Sequence, residues 1–155
     1  MVNRKRLTAE QALQKMKLYC AYQERCHAET KQKLYSFGLF KNDVDRIVSQ
    51  LIEEDYQNEE RFATAFARGK FRMKHWGRIK IIYELKQKNV TEYCIRKAMK
   101  EIGEEEYLKT LERLAEQKLN ELSSEENLLA RRKRAYDYLL QKGYERDLIL
   151  SFIKE

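Results

Sequence analysis

Leu34-Tyr35-Ser36-Phe37-Gly38-Leu39, followed by Val44, Ile47 and Val48, is a frame that this chain writes three times. Shifted by 51 residues it reads Leu85-Lys86-Gln87-Lys88-Asn89-Val90, then Ile95, Ala98 and Met99. Shifted by 105 it reads Leu139-Leu140-Gln141-Lys142-Gly143-Tyr144, then Ile149, Phe152 and Ile153. In each copy an apolar residue stands four before a Gly or Asn, and apolar residues follow at +1, +6, +9 and +10. Gly and Asn are the residues that enter the left-handed region cheaply, so Gly38, Asn89 and Gly143 are expected just past the end of a helix. The apolar residue that follows packs back on that helix, and the +6, +9, +10 spacing is one face of the next.

Outward from this frame, each copy has a leading helix. Thr8-Ala9-Glu10-Gln11 is a capping-box pattern opening a run with Ala12, Leu13, Met16, Tyr19 and Cys20 on its apolar side. The second leading helix is expected to open near Asn58-Glu59-Glu60 and the third near Glu104-Glu105-Glu106, with acids suited to the helix dipole. Ser123-Ser124-Glu125-Glu126 is a second capping-box pattern, expected to start the helix that ends at Gly143. The predicted fold is all-α: three tandem three-helix repeats, at 1–57, 58–105 and 106–155, forming an elongated, curved array. Units of this size bury too little surface alone and stack on their neighbours. The absence of proline from all 155 residues agrees with long uninterrupted helices.

Charge singles out the middle repeat. Residues 57–100 balance at +8, residues 1–56 at +2 and residues 101–155 at −3. Arg61, Arg68 and Arg72 share one helical stripe, Lys70 and Lys74 flank it, and Arg78 and Lys80 open the next helix. Lys86 and Lys88, at a helix end, are explained by the dipole, but the density before Arg78 is not. Arg68, Lys70, Arg72, Lys74, Arg78 and Lys80 are therefore the candidate electrostatic contacts to an anionic partner. Arg61 is expected to pair with Glu60 or a neighbouring helix. Phe71 and Trp76 lie among these cations, where aromatic rings stack on bases; core packing is the competing role, and for Trp76 the favoured one.

Other chemistry finds little support. His27 and His75 sit in no metal-binding or catalytic spacing, and the glutamates gather at helix starts. Cys20, Cys26 and His27 form a weak metal pattern, read instead as buried thiols on helices; no cofactor or metal is implied. The odd set of three cysteines suits a reducing compartment, and no apolar run reaches the roughly 18–20 residues of a membrane span. The basic start, Met1-Val2-Asn3-Arg4-Lys5-Arg6, lacks an apolar signal core. A soluble, cytoplasmic, non-enzymatic monomer is expected.

Glu59-Glu60-Arg61-Phe62-Ala63-Thr64-Ala65-Phe66-Ala67-Arg68-Gly69-Lys70, then Trp76-Gly77-Arg78-Ile79-Lys80 and Tyr83-Glu84-Leu85-Lys86-Gln87-Lys88, resembles the signature of the RecX family of recombinase regulators. Arg25-Cys26-His27-Ala28-Glu29, leading to Lys33-Leu34 and Gly38, is similar to the family as well. Asn89 stands where the family usually has Gly, His75 where Gly is common, and the third repeat matches less closely. The resemblance implies tandem three-helix repeats and binding to filaments of the RecA recombinase on single-stranded DNA, with restraint of ATP hydrolysis and strand exchange. The alternative is a helical nucleic-acid-binding module that acts without a recombinase; a helical-repeat adaptor for an acidic protein is a third.

Overall fold

The computed structural model describes residues 6–153; the basic run Met1–Lys5 lies outside the described residues. Among these there are nine helices and no strand: α1 (Ala9–Tyr22), α2 (His27–Ser36), α3 (Lys41–Glu53), α4 (Glu59–Lys74), α5 (Arg78–Gln87), α6 (Glu92–Lys100), α7 (Glu104–Glu121), α8 (Leu128–Lys142) and α9 (Arg146–Phe152). The close helix pairs fall within the triplets α1–α3, α4–α6 and α7–α9. α7 opens at Glu104, within the Glu104–Glu106 start expected for the third leading helix.

The repeated frame does what its spacing requires. Gly38, Asn89 and Gly143 have φ of 85°, 61° and 101°. The residues four before them (Leu34, Leu85, Leu139) and one after (Leu39, Val90, Tyr144) are all buried. Thr8 makes the reciprocal capping box with Gln11, and Asn58 caps α4 by accepting from the Arg61 amide. The Ser123–Glu126 box does not form. Asn127 caps α8 instead, its side chain accepting from the Leu129 and Ala130 amides, and the two serines lie in the preceding turn. Asn accepts at such a cap as well as Ser does, so the choice passes to the position the α7–α8 turn reaches.

Two further left-handed residues escape the sequence pattern, Asp55 (φ 63°) and His75 (φ 58°). His75 ends α4 where the chain must reverse quickly into Trp76-Gly77.

The three triplets are not joined equally. Ala12, Met16, Leu34, Val44, Ile47 and Leu51 close a core belonging to the first alone. The second and third share one continuous core, from Phe62, Phe71 and Leu85 to Tyr107, Leu111 and Tyr144. The accessible surface is 10377 Å². A compact monomer of this mass would expose roughly 8300 Å², so the chain exposes more surface than a single compact globule would.

The joint between first and second triplets combines an apolar contact, Cys26 and Ala28 packing into the second core, with a polar network. Gln57 is buried, accepting from the Thr30 hydroxyl and donating to the Arg25 carbonyl. Around it Arg61 pairs with Glu24 and Asp55, Lys88 with Glu29 at 3.3 Å, and His27 Nδ1 lies 3.9 Å from Glu59. The two nearby cysteines point into different cores, Cys20 into the first and Cys26 into the second. Burial raises the pKa of both thiols, and no metal-ligating cluster of His, Cys, Asp and Glu occurs among the described residues.

Candidate partner-binding face of the middle triplet

α4 carries the candidate face because its buried side is narrow. Phe62, Ala63, Ala67 and Phe71 turn inward, leaving Ala65, Gly69 and Met73 as an outward stripe at four-residue spacing. Met73 is 81% exposed, unusual for a residue this apolar beside so many cations. A Cβ on Gly69 would meet nothing within 4 Å, so packing inside the protein does not require glycine there. The stripe floors a groove of about 330 Å³ that also touches Phe62, Phe66, Lys70 and Lys74. Its far end is Glu24, whose Oε2 is buried with no hydrogen-bond partner among the described residues.

Cations border the stripe in two rows of different character. On one flank Arg68 pairs with Glu101 at 3.2 Å and Arg72 with Glu106 at 3.6 Å. All four side chains are about half exposed, so these pairs are weak and exchangeable. On the other flank Lys70 lies over the rings of Phe66 (5.5 Å) and Trp76 (5.0 Å), and Lys80 over Trp76 at 4.5 Å. Lys74 is exposed beside them, and its carbonyl accepts from Lys142 Nζ at 3.0 Å. The lysine row shows no ion pair among the described residues, and its charges remain open to a partner.

One sequence expectation changes here and another is extended. Phe71 is 3% exposed and packs on Tyr107, so it is unavailable for stacking on a base. Trp76 is half-buried, edge-on to Phe66 at 6.3 Å, with lysine ammonium groups over its ring; it serves as a platform for cations as well as a core closure.

Arg78 stands apart from the other five candidates. Its guanidinium pairs with Glu104 at 2.5 Å and Glu145 at 2.8 Å and stacks 3.8 Å from the centre of the Tyr107 ring. Its amide donates to the Tyr107 hydroxyl, which itself donates to Glu145. Burial, with the hydrogen bond to Glu145, drives the Tyr107 pKa upward, and burial does the same for Tyr144; both stay neutral hydroxyls. Arg78 thus ties the second triplet to the third.

The same joint is drawn tight by glycine. Gly77 donates to the Lys142 carbonyl at 2.8 Å and Ile79 to the Gly143 carbonyl at 2.9 Å, so two turns meet backbone to backbone. The Tyr144 hydroxyl donates to the His75 carbonyl at 2.8 Å. Burial, then the nearby Arg113 and Lys142, lower the His75 pKa, so this residue adds no charge to the face at neutral pH. Tyr107, Tyr144, Glu145 and Gly77 were missed as a group by the sequence reading. Their only sequence signal is the left-handed frame around Gly143, because their partners lie 29 to 69 residues away.

Comparison with known proteins agrees with this architecture. Residues 58–99 match the model of the second three-helix domain of RecX, and residues 104–153 that of the third. Among curated relatives, the regulatory protein RecX of Clostridium perfringens (strain 13) is 30% identical over 127 residues, and that of Clostridium botulinum (strain Eklund 17B) is 29% identical over 128. These alignments take in 81% and 82% of this chain but 59% of each relative, so the chain spans about three fifths of their length. The crystal structure of RecX from Lactobacillus salivarius superposes with a TM-score of 0.83 at 22% identity, covering 94% of both chains. A second RecX crystal structure gives 0.84 at 20% identity, covering 95% of this chain and 72% of that one. The two domain models together account for more than half of the residues, in the places where the second and third triplets lie: the chain belongs to the RecX family.

Proposed function

We propose that this chain is a non-enzymatic regulator of a RecA recombinase, binding the protein–DNA filament and slowing its ATP hydrolysis and strand exchange. The observation that carries the reading is the outer face of α4: a small-residue stripe ending in exposed Met73, with a lysine row on one side and loosely paired arginines on the other. In this reading the chain acts as a monomer whose middle unit, 58–105, makes the principal contact and whose outer units, 1–57 and 106–155, extend along the filament. Lys70, Lys74 and Lys80 meet acidic groups directly, Arg68 and Arg72 exchange their internal partners for external ones, and Arg78 holds the geometry. A groove with a methionine, small residues and an acid at its end fits a protein surface better than a bare run of phosphates.

The deciding experiment measures RecA-catalysed ATP hydrolysis on single-stranded DNA while the chain is titrated from substoichiometric amounts. Inhibition is expected at or below equimolar protein. No effect across the range, together with tight, salt-sensitive DNA binding without RecA, would transfer the chain to the nucleic-acid-module reading.

Gly69 offers a sharper test of the groove. Glycine in a helix interior costs about 0.5–1 kcal/mol relative to alanine, and nothing crowds its Cβ. Gly69→Ala should therefore raise thermal stability by that amount yet weaken inhibition, because the added methyl holds the partner off the groove floor. A variant that is more stable and equally inhibitory removes close approach at α4 from the mechanism.

A further inference from the structure

The three triplets repeat, and their joints repeat with them. Counting back from the left-handed residue of each frame, position −11 is His27, Arg78 and Arg132, and position −14 is Glu24, His75 and Leu129. In the first triplet both positions face the triplet that follows: His27 lies 3.9 Å from Glu59, the first residue of α4, and Glu24 pairs with Arg61. The second triplet does likewise: Arg78 pairs with Glu104, the first residue of α7, and the His75 carbonyl accepts from Tyr144. A basic side chain at −11 thus stands against the acidic start of an incoming helix twice.

In the third triplet the same two positions are open. Leu129 is 70% exposed and Leu128 beside it 51%. The flanking cations all have partners: Arg131 donates to the Leu119 carbonyl, Lys133 pairs with Asp137 and Arg134 with Glu125. Arg132 alone of this run has none among the described residues, and it is not fully exposed. It lines a groove of about 350 Å³ between α8 and α9 with Leu129, Tyr136, Arg146, Leu150 and Ile153. The one acid of that groove, Asp137, is already engaged by Lys133, so its free charge is positive.

We infer that this groove is a docking site for an amphipathic helix of a partner protein whose first turn is acidic. The helix would enter as α4 and α7 enter the two joints before it, its leading carboxylates on Arg132 and its apolar side on Leu129 and Leu150. The inference rests on the repeat equivalence and on charge, and stands apart from the reading of the basic face.

The test uses the full chain and a labelled peptide of residues 103–122, which spans the helix the middle joint receives, followed by fluorescence anisotropy. Saturable binding is expected, weakened about tenfold or more by Arg132→Glu and also by Leu129→Ser. Replacing the peptide's Glu104, Glu105 and Glu106 with Gln should weaken it likewise, while Lys31→Glu, at an exposed position of the first triplet, should leave it unchanged. Should Arg132→Glu lose its helical circular dichroism, the exposed Leu129→Ser variant carries the test. No saturable binding at millimolar peptide, or binding indifferent to both groove variants, overturns the proposal. So does self-association of the chain alone that Arg132→Glu abolishes, which would assign the groove to a second copy.

Discussion

Gly143→Ala should destabilise the protein by about 3 kcal/mol or more, because backbone strain and a backbone clash coincide there. Its φ of 101° lies well into the region that side chains avoid. A Cβ would come within 2.4 Å of Lys80 Cβ and 2.6 Å of the Lys80 nitrogen, the start of α5, which cannot recede without breaking the joint. Gly77→Ala should act in the same direction, since its Cβ would lie 2.3 Å from the Gly143 carbonyl group. Gly38→Ala provides the contrast. Its φ of 85° is also positive, but the nearest atoms belong to the Arg6 side chain, at 3.0 Å, and a long side chain can move. It should cost only about 1–2 kcal/mol, the ordinary left-handed penalty. In a protein of this size 1 kcal/mol is worth roughly 2–4 °C in Tm, so thermal unfolding by circular dichroism separates the two classes. Equal losses at Gly38 and Gly143 would show that the tight joint contributes nothing beyond backbone conformation.

Reversing Lys70, Lys74 and Lys80 together to Glu should raise the concentration needed for half-inhibition of RecA-catalysed ATP hydrolysis by about 100-fold or more. Each reversal replaces an attraction with a like-charge contact, and several such contacts amount to several kcal/mol. Trp76 keeps its edge-on contact with Phe66, so helicity should be retained. The control is a triple reversal of Lys15, Lys31 and Lys33, exposed residues of the first triplet, which changes net charge by the same amount. It should act weakly, through long-range attraction alone, and mainly at low salt. Equal effects of the two variants would mean that the filament reads the overall charge of the chain and not this face. Reversal of Arg68 and Arg72 is expected to be milder than that of the lysines, since each arginine first has to leave Glu101 or Glu106.

The contrast between these two rows shows where reading the chain as a string stops. Arg68, Arg72 and Arg78 look alike in sequence: basic residues in the densest cationic segment. Arg78 turns out to be the tie between two triplets, and what decides it is Glu145, 67 residues further on, together with the ring of Tyr107. Trp76 was legible as a core closure, but its lysine cover was not. Asp55 and His75 hold left-handed conformations that their residue types tolerate but that no repeated frame marks in the sequence. Conversely, Thr8, Asn58 and the acidic start of α7 were correctly placed because a helix end is satisfied by residues within one turn of it.

The amino-acid sequence by itself determined the nine-helix plan of the described residues, the left-handed stops at Gly38, Asn89 and Gly143 and the apolar frame around them, since each depends on interactions within about ten residues. It also determined that the middle repeat carries the excess charge. Only the tertiary structure decided that the second and third triplets share one core, and which cations are engaged inside the protein and which face outward. An ion pair has no periodicity along the chain: its partners are chosen by the turns that bring distant segments together.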